Sequence, residues 1–191
     1  MEILNALLAI PRRFYLPLVF GFIRKLPEQD AELTAHDASI FNCARAFTLA
    51  ALGSEEYMRR ETKPRELATM IVENNSDTNA TIVRMQRLVR SPQALAQLQP
   101  DFHRLLPLRK IVEDPLFQPK MSSPILPIAD ACAFVFCRWL TKGRDAEDLM
   151  TVMMDRHRPE IDLATHPAGH QYLKIEPGLT PASLAALTAL R

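Results

Sequence analysis

Between the basic pairs Arg12-Arg13 and Arg24-Lys25 lie ten residues, Phe14 to Ile23, nearly all of them apolar. A membrane-spanning helix needs about 20 apolar residues, so this run is too short to cross a bilayer. From Tyr15 to Arg24 (YLPLVFGFIR) it is rich in aromatic and branched side chains and shows no helical spacing. That pattern predicts a strand buried on both faces, as at the centre of an α/β sheet. The longer apolar stretch Ile125 to Leu140 contains Asp130 and Arg138, which suits a core helix. Met1 to Ile10 carries Glu2 and neither a basic n-region nor a small-residue cleavage site, so no secretory leader and no membrane partner are expected.

Around the first strand, helical and extended patterns alternate. Ile3, Leu4, Leu7, Leu8 and Ile10 predict a short amphipathic helix that stops at Pro11. After a turn at Pro27 to Asp30, Ala31 to Arg60 reads as a long helical region. Ile40, Phe41, Ala44, Phe47, Thr48 and Ala51 share one face of it, and a break is expected at Gly53-Ser54. Leu67 to Val72 predicts a second strand, ending in the polar run Glu73-Asn74-Asn75-Ser76-Asp77. A helix over Thr78 to Arg90, capped by Ser76 or Asp77, turns Arg84, Arg87 and Arg90 outward. Leu105 to Val112 predicts a third strand, near an edge because of Pro107, and it ends in Glu113-Asp114. A loop over Pro115 to Pro124, a helix over Leu126 to Leu140 and a helix over Asp145 to Arg158 complete the body, residues 1–158. Residues 159–191 hold four of the fifteen prolines and a weak helical pattern over Pro181 to Leu190, and predict a loosely packed appendage.

Hydrophobic residues make up 48% of the chain and charged residues 24%, enough to build a core. Lys and Arg total 23 against 22 acids, a net charge of +1, so no global field draws in a polyanion. A nucleic acid must therefore meet a local patch, for which Arg84, Arg87 and Arg90, with Arg104, Arg109 and Lys110 later, are the best candidates, although an arginine row also suits a solvated face. Cys43, Cys132 and Cys137 lack CxxC spacing and predict thiols in a reducing, cytoplasmic setting, with Cys132 and Cys137 in the core beside Phe136 and Trp139. His166 and His170 have zinc-ligand spacing, but Pro167 and Gly169 between them oppose the helix it needs. Ser54 and Ser76 have no nucleophile-elbow context, and no glycine loop for phosphate occurs.

Ligands of α/β sheets gather at the carboxyl ends of strands, where Glu73 and Asp77 stand on one strand and Glu113 and Asp114 on another. Asp130 is a lone acid near the start of an apolar helix, with Ile128, Ala129, Ala131 and Cys132 around it. A buried, ionised carboxylate needs a cation, hydrogen-bond donors or a proton. Two readings stay open: the free N–H groups of the helix start satisfy it, or it shares a divalent ion with Glu73 and with Asp77 or Glu113. Such oxygen ligands suit Mg2+ or Mn2+.

The stretches Ile71 to Asp77 (IVENNSD), Phe117 to Ser123 (FQPKMSS) and Ile125 to Ala133 (ILPIADACA) follow one another in that order. They resemble the later motifs of domain-of-unknown-function family 3800, a bacterial and phage family with a ribonuclease H-like fold. Its members carry an acidic strand end, a Ser-Lys-x-Ser-type loop and a Leu-Gln-x-Ala-Asp helix start. The resemblance runs from about Ile3 to Met154 and implies a helix-rich α/β fold, a truncated ribonuclease H-like sheet flanked by helices, over residues 1–158. Asp130 matches the helix-start Asp, Glu73 the acidic strand end with Asp77 close by, and Lys120 with Ser122 the loop. Pro127 stands where the family has Gln, and Pro119 where it has Ser. The family opens with a strand ending Asp-Glu-Ser, which occurs nowhere here, so the expectation is a chain that begins after it. Either the reading frame was taken too short, or the protein is a natural fragment without its first catalytic acid.

The resemblance implies a divalent-metal-dependent, nuclease-like protein that hydrolyses nucleic-acid phosphodiesters by a two-metal route, inactive if truncation has removed too much. Glu73, Asp130 and Lys120 would be catalytic, with Glu73, Asp77, Asp130 and Glu113 on Mg2+ or Mn2+ and Arg84, Arg87 and Lys120 on the nucleic acid. Taken alone, Lys120 reads as a solvated surface lysine. The rival expectation is a non-catalytic protein-binding module, an inhibitor or accessory factor of a phage or mobile element. Loss of the opening strands would expose a sheet edge that invites pairing, and a homodimer covering that edge is expected.

Overall fold

The computed structural model describes residues 2–23, 34–91, 104–154 and the strand 168–173. The chain is α/β and helix-rich. Helix α1 (Glu2–Arg13) turns Leu4, Leu7 and Leu8 into the core, and Leu8 is fully buried. Pro11 lies inside α1 rather than ending it, and burial of its ring offsets the hydrogen bond it cannot donate. Strand β1 (Leu18–Ile23) alternates as a strand should: Leu18, Phe20 and Phe22 pack into one core, and Ile23 packs against another. Phe20 stacks on Phe136 with ring centroids 3.8 Å apart.

Helix α2 (Ala35–Glu61) lies against β1. A Cβ at Gly21 would overlap the carbonyl oxygen of Ala46 and the backbone nitrogen of Ala50, so only glycine permits this approach. Thr34 caps α2, its hydroxyl oxygen accepting from the Asp37 N–H at 3.1 Å. The helix runs unbroken through Gly53-Ser54, because a mid-helix glycine costs only about 1 kcal/mol and Leu49, Ala51 and Leu52 are buried beside it. Ala44, Thr48 and Ala51 face inward as the spacing predicts; Phe41 is exposed instead, beneath the guanidinium of Arg45.

Strand β2 (Ile71–Glu73) pairs in parallel with β3 (Leu116–Gln118) in the register Ile71↔Leu116 to Glu73↔Gln118, and an isolated bridge Ala68↔Ile111 precedes them. The third strand thus lies where a loop was expected, and Leu105 to Val112 contributes only that one bridge. The reason sits on α2. Arg59 draws in the carbonyls of Arg104, Leu105 and Pro107 at 2.8, 3.1 and 3.0 Å. Glu55 accepts from the N–H groups of Arg109, Lys110 and Ile111 at 2.9, 2.8 and 3.3 Å. Backbone groups that a ladder would have used are thereby committed to side chains. The run is still core: Leu105, Leu106, Leu108 and Ile111 are buried with Leu49, Leu52 and Val89.

Helix α3 (Ser76–Arg90) follows β2, with Asn75 as its N-cap in place of Ser76 or Asp77. Helices α4 (Ile125–Leu140) and α5 (Ala146–Met154) close the first core, where Val135, Phe136, Met150 and Met153 meet Leu8 and Phe20. Strand β4 (Ala168–Leu173), within the stretch read as an appendage, pairs antiparallel with β1 from Leu18↔Leu173 to Ile23↔Ala168. The strands described therefore form two separate pairs. Among the described residues no helix is long and apolar enough to cross a membrane. The turn at Pro27 to Asp30, the helix predicted over Pro181 to Leu190, the end of the Asp145 to Arg158 helix and His166 lie outside the described residues.

Candidate functional site

Glu73 is the last residue of β2, and the ladder continues past it through the Asn74 N–H, which donates to the Gln118 carbonyl at 2.8 Å. The polar run beyond is held by its own amides. Asn75 Oδ1 accepts from the Asp77 N–H at 3.0 Å, Asn79 Oδ1 accepts from the Asn75 N–H at 3.1 Å, and Asn79 Nδ2 donates to Asn74 Oδ1 at 2.7 Å. These bonds fix the corner between β2 and α3 and with it the place of Glu73. On the neighbouring strand, Pro119 ends β3 and a single 3-10 turn, Lys120–Ser122, follows, closed by the Ser122 N–H on the Pro119 carbonyl at 2.9 Å. Because β2 and β3 are parallel, Glu73 and the Lys120 turn lie at the same, carboxyl, end of the pair.

Lys120 Nζ donates to Asp130 Oδ2 on α4 in a close ion pair. Its ammonium is held above the ordinary lysine value of 10.5, first by that hydrogen bond, then by the Asp130 charge, with a further pull from Glu73. The pair is open to water, with 44% of the lysine and 50% of the aspartate side chain exposed. Of the residues singled out from sequence, Lys120 and Asp130 are therefore paired, and Glu73 lies at the same end of the strand pair as the Lys120 turn.

The surroundings of Asp130 differ from expectation. Helix α4 begins at Ile125, which puts Asp130 in its second turn, past the free N–H groups of the helix start. The apolar neighbours Ala131 and Cys132 point into the core, whereas Asp130, Phe134 and Cys137 share an exposed face at helical spacing. Asp130 is thus a solvent-facing acid with a lysine partner rather than a carboxylate buried in apolar surroundings. Cys137, read as a core residue, is exposed too, while Cys132 is buried and its thiol is pushed up to about 11 by desolvation.

The other acids stand apart. Asp77 is exposed in the first turn of α3 and accepts from Ser76 Oγ at 3.2 Å. Glu113 is exposed on the stretch leading to β3. Among the described residues no three His, Cys, Asp or Glu side chains converge to hold a metal ion, so neither joins Glu73 and Asp130 as a third ligand. Asp114 is gripped by two arginines of α3: Arg87, whose Nε lies 3.0 Å from Oδ2, and Arg90, which also donates to the Val112 carbonyl at 2.6 Å. The Arg87 hydrogen bond, ahead of Arg90 and the two charges, holds the Asp114 carboxyl below its usual value, and Arg87 is raised in return. Arg87, expected on a nucleic acid, thus ties α3 to the approach to β3. Arg84 is exposed on the same helix, beside a shallow depression lined by Asn79, Ala80 and Val83. The roles of Glu55 and Arg59 escaped the sequence reading, although an acid and a base four apart on an otherwise apolar helix face are a recognisable signal.

A scan of protein-family models finds no match to the chain, and searches of curated proteins and of solved structures find none either.

Proposed function

We propose that Glu73, Lys120 and Asp130 are the working residues of a divalent-metal-dependent, nuclease-like protein that acts on nucleic-acid phosphodiesters. One observation carries this reading. An ammonium from a turn and a carboxylate from a helix pair beside the carboxyl end of a parallel strand pair, where Glu73 ends β2, and the pair is open to solvent. The motif resemblance to family 3800 and its ribonuclease H-like fold points the same way.

Mg2+ is commonly bound by one or two carboxylates together with water and substrate phosphates. In this reading Glu73 and Asp130 would be those carboxylates, while the described residues supply no third acid. The bound ion would contribute Lewis acidity and a readily ionised water. Glu73 and Asp130 would hold it at the strand end, and Lys120 would offset the charge of a phosphate placed beside it. Arg84 would extend the contact along the backbone. A cytoplasmic location goes with three free cysteines.

The test is cleavage of single-stranded and duplex nucleic acids by the purified chain with Mg2+ or Mn2+. Metal-dependent cleavage, reduced at least about a hundredfold by Asp130→Asn, is expected. Absence of cleavage with both ions contradicts the reading.

A second reading, a non-catalytic module that binds a protein or a second copy of itself, is favoured by one feature. Register partners Ile71 and Leu116 lie on one face of the parallel pair, with 39% and 48% of their surface exposed, and Leu67 nearby is 59% exposed. Parallel sheets ordinarily have both faces covered. This reading predicts a dimer or complex in sedimentation that Ile71→Lys dissociates; an unchanged monomer for both proteins contradicts it.

A further inference from the structure

We infer that the open face of the β2–β3 pair seats the same face of a second copy about a two-fold axis at Thr69, with Arg65 set against the partner's Glu73. The inference rests on the second reading above and names its partner; Glu73 then serves the interface in place of a metal. Exposure alternates without a break from Leu67 to Glu73, along backbone tied to the neighbouring stretch by the Ala68↔Ile111 bridge and the β2 ladder. Ala68 and Met70 pack on the second core, which turns Leu67, Thr69, Ile71 and Glu73 outward. Leu116 stands beside Ile71 in register, and Val112, next to the buried Ile111, is exposed on the same side. Arg65 is exposed in the turn that enters this stretch.

The order of side chains is what selects a second copy as the occupant. Leu67 and Ile71 stand two residues either side of Thr69, and Arg65 and Glu73 stand four either side, one basic and one acidic. Such a face is complementary to itself when reversed. A two-fold contact sets residue i of one copy against residue j of the other, and j against i. With the axis at Thr69, Leu67 meets the partner's Ile71 and Arg65 meets the partner's Glu73, each twice per dimer. Sheets packed face to face lie about 10 Å apart, a gap that an arginine and a glutamate span end to end. A net charge of +1 puts little repulsion between copies.

The test is sedimentation equilibrium of the full chain at low salt, with charge-reversal variants alone and mixed. The wild type is expected to dimerise. Arg65→Glu makes a face acidic at both ends, and Glu73→Arg makes one basic at both ends. Each variant alone should dimerise at least about tenfold more weakly than the wild type. An equimolar mixture of the two should dimerise as tightly as the wild type, because every end-to-end contact then joins unlike charges. Misfolded variants would not recover on mixing. A dimer that Ile71→Lys breaks but neither reversal weakens, or a mixture no tighter than its components, overturns the two-fold arrangement while leaving the second reading standing. A wild type that stays monomeric at every concentration overturns the inference together with the self-binding form of that reading.

Discussion

Glu55 has no exposed surface, and its two carboxylate oxygens accept from the N–H groups of Arg109, Lys110 and Ile111 and from Arg59 Nε. Removing it leaves three backbone N–H donors and the Nε–H of Arg59 without their acceptor. Glu55→Ala is therefore expected to lower the unfolding free energy by about 3 kcal/mol in urea titrations. A loss below about 0.5 kcal/mol would mean that water replaces the carboxylate. Cysteine reactivity follows burial in the same way: exposed Cys43 and Cys137 should be alkylated well before Cys132, whose thiol lies at about 11 and stays protonated. Mass spectrometry of partly labelled protein reads that order directly. Asp114 makes a pH prediction. Its folded-state value lies below the ordinary 3.8, so the stability it contributes is complete above that value and is lost as the pH falls through the lower, folded one. The stability difference between wild type and Asp114→Asn should thus hold from neutral pH down to about 4 and shrink below it. A difference that stays constant into strong acid would show that the arginine clamp is not what stabilises this carboxylate.

At the scale of elements, the tightest constraint is the seat of β1 on α2. Gly21→Ala would drive a methyl group into backbone atoms of Ala46 and Ala50, which cannot rotate away as a side chain can. A loss of at least about 2 kcal/mol is expected in thermal or urea unfolding; an unchanged midpoint would mean that the strand sits further from the helix. Elements held by local pattern were legible in the sequence. The spacing of Leu4, Leu7 and Leu8, the nearly continuous apolar run over β1, the outward arginine row of α3 and the apolar run of α4 each predict the element that forms. What escaped was decided by distant partners. Leu105 to Val112 has the composition of a strand but is peeled from the ladder by Glu55 and Arg59, about fifty residues earlier, and the strand passes to Leu116–Gln118. The site divides along the same line. Glu73, Lys120 and Asp130 were chosen by type and order, and of these Lys120 and Asp130 form an ion pair. The exposure of Asp130 was missed because it depends on which side of α4 faces the core.

For the molecule as a whole, two hydrophobic cores flank β1, one built with α1, α4 and α5 and the other with α2, α3 and the stretch before β3. The parallel pair β2–β3 packs against the second core through Ala68 and Met70, while Lys120 reaches Asp130 on α4 of the first. This ion pair thus spans elements of both, so its geometry depends on the fold rather than on one loop. With a net charge of +1, the protein has no overall field to attract a polyanion, so under the proposed function a phosphodiester would have to be met by local groups, Lys120 and Arg84. The most direct measurement is a crystal of the full chain soaked in Mn2+, with anomalous scattering used to find the ion. The account predicts a peak at about 2.1 Å from carboxylate oxygens of both Glu73 and Asp130. No peak at that position under saturating Mn2+, with the Lys120–Asp130 pair intact, would contradict it.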